Sequence, residues 1–439
     1  MLKITFLGAG STVFARNLLG DCMSCEVLRE CEIALYDIDA QRLNESERII
    51  NAINKGKGGY SKISSYVGLE NLDKALAGAA FVVNAIQVGG YDPATIADFE
   101  IPKKYGLRQT IGDTLGIGGI MRALRTIPVM EKFGRSMEKV CPDAWLLNYT
   151  NPMSMLTGFM QRYTGVKTIG LCHSVQGCSY WLLKGLDMED KLDGRRELIA
   201  GINHMGWLLD IRDKNGNDLY PEIRRRAFNK NKAEKHNDMV RFDYIDKLGF
   251  YCTESSEHNA EYNPFYIKAN YPQLIGKFNI PLDEYPRRCI EQIEGWKTEF
   301  ESLVKTDIIK HDRSGEYASY IMESIVTNNT YKIGGNVINK GCIENLPADA
   351  CVEVPCLVDG SGINACHVGR LPVQLAAMNM THINVHLVTI EAAVTKKREH
   401  IYHAAMLDPH TAAELSLDNI KSMVDELLEA HKPWLPSYM

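Results

Sequence analysis

Short apolar runs alternate with amphipathic stretches through the first third of the chain. Lys3–Leu7 is a β-rich run ending in Gly8-Ala9-Gly10-Ser11, and a helical pattern follows through Leu19. Glu32–Tyr36 predicts a second strand, closed by Asp37-Ile38-Asp39, with a helix over Gln41–Ile53. Phe81–Ile86 predicts a buried strand leading into Gln87-Val88-Gly89-Gly90, and Trp145–Tyr149 and Lys167–Leu171 predict two more. Apolar strands separated by helices imply a parallel sheet covered on both faces. From about residue 195 the pattern turns irregular, through Gly201-Ile202-Asn203-His204 and a Lys/Arg/Asn-rich stretch at 223–238. Long helical runs then cover 371–406 and 411–430. The pattern predicts an α/β fold: a doubly wound parallel sheet over residues 1–195, then an α+β C-terminal domain over 196–439.

Composition narrows the function class. The 439 residues carry 49 Lys plus Arg against 55 Asp plus Glu, a net charge of −6, with 45% hydrophobic and 24% charged residues. That balance excludes a mainly disordered chain, a collagen-like repeat and a coiled coil, and the length exceeds one ordinary core. A mildly acidic chain offers no footprint for nucleic acid. Arg224-Arg225-Arg226 and Lys396-Lys397-Arg398 are read as solvated helix faces. The Met1–Leu7 opening is too short for an export signal, and no run of ~18 apolar residues spans a membrane. The 12 cysteines are scattered, which predicts free thiols in a reducing cytoplasm. Cys22 and Cys25 stand at C-x-x-C spacing inside a helical pattern with no second pair, a chance arrangement.

Gly8-x-Gly10-Ser11, followed by Thr12, lies where the first strand meets the first helix. Glycines there permit a tight turn and close approach to a pyrophosphate, and the helix N-terminus offers free N–H groups. These are Rossmann-like features, although Val13 replaces the third glycine of the usual fingerprint. Asp37 ends the second strand, where a carboxylate can accept ribose hydroxyls and repel a 2′-phosphate, favouring NAD over NADP; Gln87 and Gly89 end a later strand at the same edge. The alternative is a doubly wound fold whose glycine turns hold no nucleotide. Beyond other strand ends come Asn151-Pro152, which fits a helix start, and Cys172-His173-Ser174-Val175. With His204 from a separate segment, one thiol and one or two imidazoles suit a catalytic metal with open positions.

Taken together, Gly8-Ala9-Gly10-Ser11, Gly112-Asp113-Thr114-x-Gly116-x-Gly118-Gly119, Asn148-Tyr149-Thr150-Asn151-Pro152, Cys172-His173-Ser174-Val175 and Gly201-Ile202-Asn203-His204 resemble glycoside hydrolase family 4. The resemblance covers essentially the whole chain. It implies a fold of the lactate/malate dehydrogenase type, with a C-terminal half for substrate, metal and oligomer contacts. It further implies that Cys172 and His204 hold a divalent metal, usually Mn²⁺, that His173 is the general acid, and that Asn151 contacts sugar hydroxyls. Asp113 falls near the catalytic base, which is either His258 or Tyr262, and the substrate-anchoring arginine is Arg287, with Arg288 an equal register.

Cys-His-Ser-Val resembles the α-galactosidase group of that family, and Glu254–Tyr262 and Asp283–Arg288 agree. The implied reaction on small α-D-galactosides of the melibiose and raffinose type is hydride transfer from sugar C3 to bound NAD⁺, C2 deprotonation, elimination and water addition. The nucleotide is recycled at each turnover, a route distinct from two-carboxylate glycoside hydrolysis. Within the family, an α-glucosidase or α-uronidase is the alternative. A 2-hydroxy acid dehydrogenase needs no Cys-His-Ser-Val cluster, and a sugar or nucleotide sensor has no use for acid and metal groups. His382 and His386, four apart without an intervening Glu, are read as surface or interface histidines; Trp181, Trp207 and Trp296 offer faces for stacking on a sugar, with buried packing the default reading. The amphipathic helices after 371 predict a homodimer or homotetramer.

Overall fold

In the computed structural model, which describes residues 1–303 and 306–439, the described strands join one sheet. In chain order these are β1 Leu2–Leu7, β2 Cys31–Asp37, β3 Lys62–Val67, β4 Phe81–Asn84, β5 Trp145–Asn148 and β6 Lys167–Gly170. They continue as β7 Arg196–Ile202, β8 Met205–Arg212, β9 Tyr251–Cys252, β10 Tyr331–Ile338, β11 Cys351–Asp359 and β12 Gly362–Ala365. The first six pair in parallel in the order β3-β2-β1-β4-β5-β6. This is the order of a dinucleotide-binding sheet, whose ligand crevice lies at the carboxyl ends where the strand order reverses. The fold is the Rossmann-like α/β architecture expected from the alternating pattern.

The sheet continues past β6. Asn336 of β10 pairs antiparallel with Gly170, and β11, β7, β8 and β9 follow, with β12 on β11. Alternate residues of each parallel strand feed opposite cores, as the period of two requires. Phe81, Val83 and Leu147 join one core, with Leu18 and Ile49 of the helices Thr12–Ser24 and Ala40–Gly56. Val82 and Leu146 join the other, with Ile120 and Leu124 of the helix Gly116–Val140. Val352 and Leu375 extend the first core, and Val385 and Leu427 the second. Apolar burial therefore cements the C-terminal half onto both faces of the nucleotide-type sheet.

Several local expectations change. β3 was not foreseen, because its Lys62-Ile63-Ser64-Ser65-Tyr66-Val67 sequence forms a half-exposed edge strand without an apolar signal. The irregular region after 195 is the β7–β8 hairpin, and much of the stretch at 223–238 is the helix Tyr220–Ala233. Only Tyr220, Ile223 and Ala227 of that helix are buried, while Arg225 and Arg226 pair with Glu222 in solvent. Lys396 and Lys397 are not on a helix face: Lys396 turns left-handed at φ 59 and divides the run at 371–406 into the helices Val373–Thr395 and Arg398–Leu407. His382 and His386 are buried, not at the surface, because Val373–Thr395 packs apolar residues on several sides. Trp207 is buried as expected, whereas Trp181 is 59% exposed and Trp296 half-buried. All 12 cysteines are free, and no described helix is long and apolar enough to cross a membrane.

A buried ionic knot ties the C-terminus to the crevice. Arg125 donates to both oxygens of Asp98 at 3.2 and 2.6 Å and through Nε to the Val88 carbonyl at 3.0 Å. His431, just after the helix Leu417–Ala430, sits 2.7 Å from Asp98 Oδ1. Arg125→Met leaves Asp98 buried without its cation, a loss of about 3–5 kcal/mol. The expected result is a clear fall in the urea unfolding midpoint; an unchanged midpoint contradicts the assignment.

Candidate active site

The crevice is set by two close approaches. Gly8 ends β1 at φ 84, and a Cβ there would lie 2.8 Å from the Ala85 carbonyl oxygen that follows β4. Gly10 donates its N–H to Asp37 Oδ2 at 2.6 Å, and a Cβ on it would meet that carboxylate. Ser11 precedes the helix Thr12–Ser24 without a side-chain cap, so the first-turn N–H groups keep no intrahelical partner. The Thr12 hydroxyl bonds Ser46 Oγ at 2.8 Å, which leaves its backbone alone for a ligand. Exposed Gln87 and half-buried Gly89, the latter at φ 84, follow β4 beside the Val88 carbonyl that Arg125 holds. Gly8, Gly10, Ser11, Asp37, Gln87 and Gly89 thus share one sheet edge. Open N–H groups, a glycine floor and a carboxylate fit a dinucleotide.

At neighbouring strand ends, Cys172 Sγ, a His204 nitrogen and a Glu254 oxygen lie within 4.8 Å of one another. Cys172 follows β6 and begins the helix His173–Gly185; its carbonyl accepts the Tyr317 hydroxyl at 3.0 Å. His204 is at the tip of the β7–β8 hairpin with φ 64, and Glu254 lies two residues past β9 with φ 61. Left-handed backbone is costly for side-chain-bearing residues and concentrates at functional sites. Here the pairing of Trp207 with Cys252 and the bonds between Gly206 and Thr253, at 2.7 and 2.9 Å, hold both turns together.

The electrostatics suit a cation. His204 Nε2 is 3.3 Å from Glu254 Oε2, while Nδ1 is 2.8 Å from the Tyr262 hydroxyl. Burial opposes charge on His204, but Glu254 and Cys172 push its pKa up to about 10. Burial would raise Glu254, yet His258 and His204 hold it down at about 2. A thiol and a carboxylate gathered on one imidazole edge attract a proton, or a divalent ion in its place. Tyr262 on the opposite nitrogen orients the ring as a supporting partner does in metal sites.

Around this cluster stand the remaining candidates. His173 Nε2 bonds Glu316, whose other oxygen accepts the Tyr149 hydroxyl at 2.6 Å; the His173 side chain is 59% exposed, so the desolvation that opposes its charge is partial, and Glu316 raises its pKa. His258 Nδ1 is 2.7 Å from Ser255 Oγ, Nε2 is 4.0 Å from Asp113 Oδ1, and burial lowers its pKa. Glu261 pins the loop carrying Asp113 by accepting N–H bonds from Thr110, Ile111 and Gly112 at 2.7, 3.2 and 2.8 Å. Asn151 keeps a buried Oδ1 with no partner among the described residues. Arg287 is not brought to the cluster: it pairs with Glu284 and Glu291, and with Arg288 lines a separate cavity of about 270 Å³.

Glu254, Glu316, Glu261 and Glu353 were not selected from sequence. Carboxylates are common, and only the β8–β9 pairing or contacts more than a hundred residues apart reveal their positions. Glu353 lies behind His204, accepting from Asn336 at 3.0 Å and Asn203 at 3.3 Å with its other oxygen unpartnered, and burial raises its pKa to about 7.

Residues 3–188 match the family 4 glycosyl hydrolase and residues 199–411 its C-terminal domain. The chain is 58% identical over 438 residues to the α-galactosidase of Bacillus subtilis, covering 100% of both chains. The solved lplD protein of Bacillus subtilis superposes with a TM-score of 0.86 at 25% identity, covering 98% of this chain and 100% of that one. The 6-phospho-β-glucosidase of Thermotoga maritima, solved with manganese, NAD⁺ and glucose-6-phosphate, shares the fold at a TM-score of 0.80 and 21% identity, covering 99% and 100%.

Glu254→Gln removes one anionic donor. Its expected effect is a rise of about 10-fold or more in the Kd for Mn²⁺, read by electron paramagnetic resonance of the free ion; unchanged affinity refutes a ligand role. A second outcome concerns Glu353. Its ordinary value of 4.5 rises to about 7 on folding, so the native state holds the extra proton between those values. Stability therefore falls as pH rises through that window. Thermal unfolding of metal-free protein is expected to show a shallower decline in Glu353→Gln; an identical slope contradicts the assignment.

Proposed function

The chain belongs to family 4 of the glycosyl hydrolases, and we propose that it is an α-galactosidase acting on terminal α-D-galactosides of the melibiose and raffinose type. The observation that carries this reading is 58% identity across the full length to an α-galactosidase, with Cys172-His173-Ser174-Val175 at the thiol–imidazole–carboxylate cluster. NAD and a divalent metal, Mn²⁺ by preference, belong to the same reading. It is supported by the crevice described above and by a family member solved with manganese and NAD⁺. Cys172, His204 and Glu254 would hold the metal; Gly8, Gly10, Ser11, Asp37, Gln87, Gly89 and the Thr12 backbone would hold the dinucleotide. When bound, NAD⁺ supplies reversible hydride acceptance at sugar C3 and the metal supplies Lewis acidity toward the adjoining oxygens.

The chain's own groups move the protons. A ketone at C3 makes the C2 hydrogen acidic, and His258 takes it: burial keeps the imidazole neutral, and Asp113 facing Nε2 steadies the imidazolium that forms. Tyr262 is the weaker base, because burial raises its phenol well above the ordinary value and its hydroxyl is engaged by His204. His173, whose protonated form Glu316 favours, delivers a proton to the leaving oxygen. Asn151 accepts a sugar hydroxyl with its free oxygen. Arg287 and Arg288 would reach a sugar only by leaving Glu284, Glu291 and Glu257, so anchoring falls first to Asn151.

The proposal divides the chain near residue 195, between a cofactor half and the half that brings in His204, Glu254 and Glu316. A cytoplasmic location is supported by 12 free cysteines. A homodimer or homotetramer is supported by exposed Val373 and Leu417 on the C-terminal helices.

Hydrolysis in D₂O is expected to place deuterium at C2 of the released galactose; label-free product refutes C2 deprotonation. His258→Ala should abolish both turnover and exchange at C2, whereas Tyr262→Phe should retain exchange and bind Mn²⁺ more weakly; the reverse pattern makes Tyr262 the base. Turnover should require NAD⁺, Mn²⁺ and a thiol reductant, and activity surviving exhaustive chelation and nucleotide removal contradicts the proposal.

A further inference from the structure

Beyond His173, one face of the helix His173–Gly185 is unused by the chemistry above. His173, Gly177 and Trp181 stand four residues apart in a single stripe along it. A Cβ on Gly177 would lie 2.8 Å from Cδ1 and 2.9 Å from Nε1 of Trp181. The glycine therefore lets the indole lie back along the helix toward His173, the direction helical side chains lean. Trp181 is 59% exposed, and its indole N–H has no acceptor among the described residues. Tyr180 stands edge-on to it at 5.0 Å, and Lys184 Nζ lies 5.4 Å from its ring. Gln176, on the turn between His173 and Trp181, bonds the Tyr331 side chain. An aromatic face, an indole N–H, an amide, a phenol and an ammonium thus line the path leading away from His173.

We infer that Trp181 is the floor of a subsite for the sugar next to the scissile bond, on the leaving-group side. The inference rests on the reading that His173 protonates the leaving oxygen, which puts the departing sugar on the His173 side of the cluster. Eight residues span about 12 Å of helix axis, and the backward lean of the indole shortens the gap to about one 5.4 Å turn. That gap suits a sugar ring attached to the leaving oxygen, its apolar face on the indole and its hydroxyls toward Gln176 and Lys184. Amphipathic aromatic rings serve this half-apolar, half-wet contact. Two exposed rings fall far short of the roughly 800 Å² per partner of a stable interface between copies. The occupant is therefore an oligosaccharide.

The test compares methyl α-galactoside, which lacks the second sugar, with an α-galactosyl trisaccharide on holoenzyme loaded with NAD⁺ and Mn²⁺. Trp181→Ala should lower kcat/KM for the trisaccharide at least 10-fold more than for the methyl glycoside, chiefly through KM, and Trp181→Phe should recover most of the loss. Gly177→Ala, which displaces the indole, should show the same selectivity. Equal losses on both substrates, or no loss on either, overturn the subsite. A change in oligomeric state of Trp181→Ala by light scattering overturns it in favour of an interface between copies. If His173→Ala shows no added sensitivity to leaving-group basicity on aryl α-galactosides, the acid reading fails instead. The trisaccharide selectivity of Trp181→Ala then tests the subsite separately.

Discussion

Everything in this site depends on holding a thiol, an imidazole and a carboxylate together where water is scarce. A carboxylate held there beside a polarisable sulfur calls for positive charge between them. The raised pKa of His204 and the depressed one of Glu254 express that demand. The fold meets the geometric cost with two left-handed residues at adjoining turns, His204 and Glu254, locked by hydrogen bonds across β8 and β9.

The continuous sheet explains why the halves of the chain work as one. Cys172 and His173 come from the end of the last parallel strand, His204 and Glu254 from the antiparallel extension, and Glu316 from the approach to the helix Tyr317–Thr327. The parallel half carries the candidate dinucleotide crevice. The antiparallel strands set candidate metal ligands and titratable side chains beside it. In the proposed reaction that combination would let a nucleotide-type fold serve hydrolysis, with the oxidation reversed within one turnover.

The sequence was most legible where function is written into neighbouring residues. Gly8-x-Gly10, Asp37 and Cys172-His173 lie at strand ends that apolar periodicity locates well, and His204 lies in a compact motif. It was least legible where a partner arrives from far along the chain. Glu254 becomes a ligand candidate only because β9 pairs with β8, and Glu316 meets His173 across 143 residues. His382 and His386 were misplaced because a helix buried on several sides lacks a polar face to mark its orientation. β3 escaped notice for the opposite reason, since an edge strand needs little apolar character. The exposed position of Trp181 departs from the usual fate of tryptophan, and that departure carries information a residue count cannot.

The account's central claim is that one sulfur, one imidazole and one carboxylate meet at a single ion. X-ray absorption at the manganese edge of the loaded protein measures this directly. The account predicts one sulfur and one imidazole among oxygen neighbours, with the sulfur lost in Cys172→Ser. A shell of oxygen and nitrogen alone, identical in that variant, would contradict it.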